Sequence, residues 1–189
     1  MKVGLVGESA SDTSAIQNLL SKRYKTFEFI VLLNGLTGAA LDSKKILAQY
    51  LSVEIHEKKP DMIILIRDLD SHEKDKTKLA KRDKIFRFFN HRAGNKGLFL
   101  LNIYELEALI FADIDKFNKL YDCSIDHVED PMKIPDPKGE LKKATIGKRK
   151  LFNVSHNPEI FKALDFDKLK QNCRYFETFS NELEKMVAQ

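Results

Sequence analysis

A chain of 189 residues, 43% hydrophobic and 32% charged, can bury one sizeable core and has the make-up of an ordinary folded domain, not of a disordered or fibrous chain. No run of about 18 apolar residues occurs, which excludes a membrane-spanning helix. The net charge of +4 is unevenly spread: residues 72–96 carry nine Lys/Arg against three Asp/Glu, and residues 133–150 carry seven against two, leaving the remainder at −7. Separated basic and acidic surfaces suit a protein that grips a polyanion and holds cations in a carboxylate pocket; solvated Lys-rich helix faces are the plainer reading.

The opening MKVGLVGE reads as a first strand at Lys2–Val6, not as a secretory signal. Asp12 to Arg23 then has Ile16, Leu19 and Leu20 at helical spacing. Phe27–Leu33 reads as a second strand, and Leu41 to Lys58 as a helix with its apolar stripe on Ile46, Leu47, Tyr50, Leu51 and Ile55, stopped by Pro60. Met62–Ile66 is apolar at every position, the pattern of a central parallel strand covered on both faces. A charged helix over Glu73 to His91 and a fourth strand over Leu98–Ile103 follow. Strands alternating with helices predict an α/β fold with an open, doubly wound, mainly parallel sheet.

Beyond Ile103 the pattern changes. Short helices are expected at Glu105–Ala112 and Asp115–Tyr121, then a proline-rich basic loop over residues 128–150 opening into a helix near Gly139–Ala144. Helices at Asn157–Leu164, Asp167–Asn172 and Phe176–Met186 complete the chain. The expected division is an α/β core over residues 1–125 and a helical extension over residues 126–189 packed on the same domain. Cys123 and Cys173 lie 50 residues apart without a CxxC or Cys/His pairing, as expected of reduced thiols in a cytoplasmic protein.

An open parallel sheet binds ligands outside the carboxyl ends of its strands. Strand one is followed by Gly7-Glu8-Ser9-Ala10-Ser11-Asp12, strand three by Arg67-Asp68-Leu69-Asp70, and strand four by Tyr104-Glu105-Leu106-Glu107. Three strand ends thus deliver carboxylates to one crevice. Neighbouring carboxylates repel unless a cation neutralises them, and oxygen-only donors suit Mg²⁺ or Mn²⁺. Glu8, Asp68 and Asp70 are therefore the expected metal ligands, and the i, i+2 spacing of the two aspartates sends both the same way while Leu69 turns to the core. Glu105 is preferred over Glu107 as a further group at the site. Asp12 reads as a helix-start residue near it. His72 could touch substrate, but a polar loop side chain is the simpler reading.

These motifs resemble the Toprim domain, in which a Glu after the first strand and an Asp-x-Asp after the third hold Mg²⁺. Glu8 to Asp12 is similar to the first motif of nucleases of the overcoming-lysogenization-defect type, although Ser9 stands where Gly is usual. Glu105-Leu106-Glu107-Ala108 with Ala112-Asp113, then Asp136-Pro137-Lys138, and Cys173-Arg174-Tyr175-Phe176-Glu177-Thr178-Phe179 resemble the stand-alone family of unknown function DUF4276. Leu109 replaces its usual aromatic. The resemblance implies metal-assisted phosphodiester chemistry on nucleic acid, with Glu8, Asp68, Asp70 and Glu105 catalytic, Mg²⁺ or Mn²⁺ as cofactor, and Lys138, Lys142 and Arg149 on substrate phosphate. A partner protein such as an ATPase, and a role in defence systems, are further implications. The alternative is a non-catalytic nucleic-acid or nucleotide-binding module; a receiver-like phosphoacceptor at Asp68 would need a Lys at the end of a fifth strand.

Overall fold

The computed structural model describes residues 1–188. Four strands, β1 (Lys2–Val6), β2 (Glu28–Leu33), β3 (Met62–Asp68) and β4 (Gly97–Asn102), form one parallel sheet in the order β2-β1-β3-β4. Helices cover both faces, so this is the doubly wound, Rossmann-like arrangement that the alternating pattern predicts.

The burial of β3 decides how the layers form. Met62, Ile64 and Ile66 point to one face and Ile63 and Leu65 to the other, all at 2% exposure or less. The first face receives α1 (Ala10–Arg23) through Ala15, Ile16, Leu19 and Leu20, together with helices from the second half of the chain. The second face receives α2 (Gly38–Leu41), α3 (Lys44–Lys58) and α4 (Lys76–Arg92) through Leu41, Leu47, Leu51, Ile85 and Phe89. The chain therefore leaves β1 toward one face and β3 toward the other. Because β1 and β3 are neighbours, a crevice opens between their carboxyl ends, at the topological switch point.

Sequence and structure part at element ends. The helix expected to begin at Leu41 is two helices, broken at Asp42 and restarted by Ser43, whose Oγ accepts from the Ile46 N–H at 3.4 Å. β3 runs on to Asp68 because its ladder with β4 continues through Arg67↔Leu101 and Asp68↔Asn102. After β4, residues Glu105–Glu107 form a turn, and the expected helix shrinks to α5 (Ala108–Phe111). α6 (Ile114–Tyr121) follows, then a 3₁₀ turn at Pro131–Lys133 and α7 (Pro137–Ala144).

The terminal helices α8 (Asn157–Ala163), α9 (Phe166–Asn172) and α10 (Arg174–Val187) pack back onto the core, α8 along α1 and α10 across β4. Phe161, Leu164, Phe166, Phe176 and Phe179 join the same buried cluster as Val3 and Ile64, which explains why the phenylalanines recur at helical spacing. Both cysteines are free thiols. Among the described residues, no helix is long and apolar enough to cross a membrane.

Phe89 sits at 0% exposure on the second face. Phe89→Ala should destabilise the fold by about 3–5 kcal/mol through lost burial and an unfilled cavity. The check is a urea melt with an unchanged m-value and a lowered midpoint.

Candidate functional site

Two groups of charged side chains meet at the β1/β3 crevice. The first is built on Arg67, which ends the apolar run of β3 and is 1% exposed. Its guanidinium donates to Glu8 Oε1 through Nη1, and to Asp42 Oδ1 at 2.9 Å and the Gly38 carbonyl at 3.3 Å through Nη2. Asp42, in the break between α2 and α3, is also bound by Arg82 Nη1 at 2.7 and 2.8 Å and by Lys81 Nζ at 2.7 Å. Burial pushes the Asp42 carboxyl up, but Lys81, Arg67 and Arg82 together hold it below its ordinary range.

Arg82 belongs to the basic stretch 72–96 but is buried. Its Nε donates to the Asp68 carbonyl at 2.8 Å and its Nη2 to Asp70 Oδ2 at 3.1 Å. Asp70 has φ +55°. This left-handed turn, fixed by Asp70 N–H to the Tyr104 carbonyl (3.1 Å) and Lys78 Nζ to the Asp70 carbonyl (2.7 Å), ends the strand alternation. Leu69 does turn into the core as expected, but the carboxylates of Asp68 and Asp70 do not share a partner. Asp70 goes to Arg82, and Asp68 to Asn102.

The second group surrounds Asp68. Its Oδ1 accepts from Asn102 Nδ2 at 3.1 Å. Burial is the first cause that lifts the Asp68 carboxyl well above its ordinary value, followed by the like charges of Glu107 and Asp12. Asn102 and Lys138 pull the other way without prevailing. Burial also raises Glu107, Asp12 and Glu8; Asp70 and Asp12 add to Glu8's rise, and Arg67 opposes it. Asp12 is thus an electrostatic neighbour of both Glu8 and Asp68. It completes a capping box, accepting from the Ser9 N–H at 3.1 Å while Ser9 Oγ accepts from its own N–H at 3.1 Å. Ser9, where Gly is usual in the resembling family, is therefore the helix cap.

Glu105 and Glu107 both reach Lys138, whose Nζ lies 3.0 Å from Glu105 Oε1 and 3.6 Å from Glu107 Oε2. Glu107 is the more deeply buried, and Asn157 Nδ2 donates to its Oε1 at 2.8 Å. The turn over residues 105–107 lets an i, i+2 pair converge where a helix would have splayed it. Lys138 is presented by the first turn of α7, where Asp136 caps the Gly139 N–H at 2.8 Å and Pro137 starts the helix. Burial lowers the Lys138 ammonium, but Glu107, Glu105 and Asp68 raise it overall, so it stays charged.

Of the residues expected at the site, Glu8, Asp68, Asp70, Glu105 and Lys138 lie in these two groups. Lys142 and Arg149 are exposed, and Arg149 lines a separate groove with Lys119, Tyr121 and Lys150. Asn102, Asp42, Arg67, Arg82 and Glu107 take part without having been singled out as primary candidates. The signals available for them were an Arg closing an apolar strand and an Asn in register with Asp68. Buried Glu107 Oε2 and Asn102 Oδ1 have no hydrogen-bond partner. Among the described residues, no three or more His, Cys, Asp or Glu side chains stand ready-formed around a metal-sized position; Glu8, Asp70 and Glu105 are each turned onto a basic side chain.

Fold and site together define an α/β protein with a buried carboxylate crevice at a sheet switch point. The chain belongs to the family described as "Domain of unknown function (DUF4276)", whose family model matches residues 7–184. No curated protein and no solved structure matches it.

Raised carboxylate pKa values mean that the folded chain keeps protons which the unfolded chain has already released. Their contribution to stability is full below the unfolded carboxylate range and is lost as pH rises through the folded values. Asp68→Asn, which keeps an oxygen for Asn102, should therefore raise the melting temperature of chelator-treated protein at neutral pH and flatten its fall as pH rises above the ordinary carboxylate range. Each 1 kcal/mol regained is worth about 2–4 °C. A Cβ on Gly139 would stand 2.0 Å from Asp136 Oδ2. Gly139→Ala should break that cap, costing about 1 kcal/mol, and free Lys138, seen as a loss of protection of the α7 amides in hydrogen exchange.

Proposed function

We propose that this chain is a Toprim-like, divalent-metal-dependent phosphodiesterase acting on nucleic acid. The observation that carries this reading is the crowding of acids around Asp68: its half-buried carboxyl meets the like charges of Glu107 and Asp12, opposed by Lys138. Such a cluster costs stability unless a cation joins it, and perturbed carboxylates gathered in a cleft mark functional sites. Glu107 Oε2, which has no hydrogen bond and lies 3.6 Å from Lys138 Nζ, and Asn102 Oδ1, also without one, are hard oxygen donors of the kind Mg²⁺ and Mn²⁺ prefer. Asp68 and Glu107 would hold the ion, with Asp70 joining on release from Arg82. A bound divalent ion supplies Lewis-acid polarisation of a phosphoryl oxygen and an acidified water.

The chain's own residues have separate tasks. Lys138 brings a positive charge to the phosphate and leaves its carboxylate partners for the ion. Arg67 holds Glu8 Oε1, which leaves Oε2 to accept or return a proton. Burial raises the Glu8 carboxyl from its ordinary value, toward the working pH of a general acid–base group. Lys142 and Arg149, both exposed, would contact more distant phosphates.

A second reading has one observation in its favour. Arg67, Arg82 and Lys138 already pair with Glu8, Asp42, Asp70, Glu105 and Glu107, so the crevice is largely neutralised from within. That suits a nucleotide- or nucleic-acid-binding module working with a partner protein such as an ATPase.

Purified protein should cleave single- or double-stranded DNA or RNA with Mg²⁺ or Mn²⁺ and not with chelator. Asp68→Asn and Glu107→Gln should each cut the rate by about 100-fold or more. Salt-sensitive binding without turnover in either metal would sink the enzyme reading and favour the second.

A further inference from the structure

The two edges of the sheet are finished differently. In β3–β4 pairing, the Ile63 N–H donates to the Lys96 carbonyl at 2.9 Å and the Leu69 N–H to the Asn102 carbonyl at 2.8 Å. Since strand groups alternate in direction, the even-numbered residues of β4 face β3, and Gly97, Phe99 and Leu101 turn their N–H and C=O outward. The Gly97 N–H is taken by Asn90 Oδ1 at 2.8 Å. Phe99 and Leu101 have no backbone partner on that side among the described residues. At the opposite edge, the outward Val31 carbonyl of β2 accepts from Lys58 Nζ at 2.8 Å, a lysine guard of the kind that blocks edge-to-edge pairing.

The open edge of β4 also lies along an apolar groove of 460 Å³ between α4 and α10, floored by Phe86, Phe99, Leu101 and Phe179. Phe86 and Phe99 stack at 4.7 Å with their rings open to this groove. An unpaired strand edge can take another strand, and the charges beside the groove indicate which one. On α10, Arg174, Thr178 and Glu182 are exposed and follow one another at i+4 spacing. On α4, exposed Asp83 and Arg87 bracket Ile85 and pair with each other within the chain. Both patterns change sign about their own midpoint. An antiparallel copy would therefore set Arg174 against Glu182, and Asp83 against Arg87, on both sides of a two-fold axis through the middle of β4.

We infer that a second copy of this chain docks on the β4 edge, pairing β4 with β4 antiparallel to make one continuous eight-stranded sheet. Such an interface is isologous, as a two-fold requires, and it satisfies the outward groups of Phe99 and Leu101 in each copy. Arg174 at present donates to Glu73 at 3.0 Å, and Glu182 has no ion-pair partner among the described residues.

The test is the molar mass of the full chain by light scattering and sedimentation over a concentration series. The wild type should show a concentration-dependent rise toward twice the 21.8 kDa chain mass. Leu101→Pro deletes an outward N–H that makes no bond within the chain, and it should remain folded and monomeric. Arg174→Glu alone and Glu182→Arg alone should each weaken the dimer by at least about tenfold. Mixing those two variants should restore it as a heterodimer, because each then supplies the charge the other lacks. These two surface variants keep the test decisive if the proline variant misfolds. A wild type that stays monomeric to its solubility limit overturns the proposal, and so does a dimer indifferent to the charge exchange. A monomer that binds an extended peptide at this groove would assign the edge to a different partner and equally overturn it.

Discussion

The geometry of the crevice depends on one buried guanidinium. Arg67 lies on the central strand at 1% exposure, where an unpaired charge would cost several kcal/mol. It is tolerated because Glu8 from the end of β1 and Asp42 from the α2–α3 break both come to it. Three segments far apart in sequence are thereby tied together at the switch point. Arg82 extends the tie from Asp42 to the Asp68 carbonyl and the Asp70 carboxylate, so α4 is locked to the same corner. Gly38 fits closely against this network, since a Cβ there would stand 3.0 Å from Glu8 Oε2.

Beside this half, hydrogen-bonded except at Arg67 Nε, lies a less satisfied one. Glu107 and Asp12 raise the proton affinity of Asp68, burial raises that of all three, and Glu107 Oε2 and Asn102 Oδ1 lack hydrogen bonds. A protein selected only for stability would not place three acids so. The arrangement is the kind of local cost that folds carry where a ligand is meant to bind. Lys138 moderates the cost, and its placement on the first turn of a capped helix gives it a fixed origin and a movable end.

Much of this was legible in the chain. The all-apolar Met62–Ile66 run, the alternation of strands and amphipathic helices, and the acids after strands one, three and four lead directly to a doubly wound sheet with an acidic crevice. Each of these signals is local, a matter of periodicity or of position relative to a strand end. Element ends were less legible, because they turn on caps and ladders: Ser43 restarting a helix, or the Asn102 register lengthening β3 to Asp68.

Sequence by itself determined which segments become strands, which faces are apolar, and that carboxylates crowd one end of the sheet, because those properties follow from backbone periodicity and right-handed crossovers. Only the tertiary structure decided how the acids divide among their neighbours. Glu8 and Asp70 were given to arginines, Asp68 was set against Glu107, and Lys138 was brought across from residues far along the chain. Pairings of this kind depend on distances in space and on burial, and neither is written in the spacing of residues along the chain.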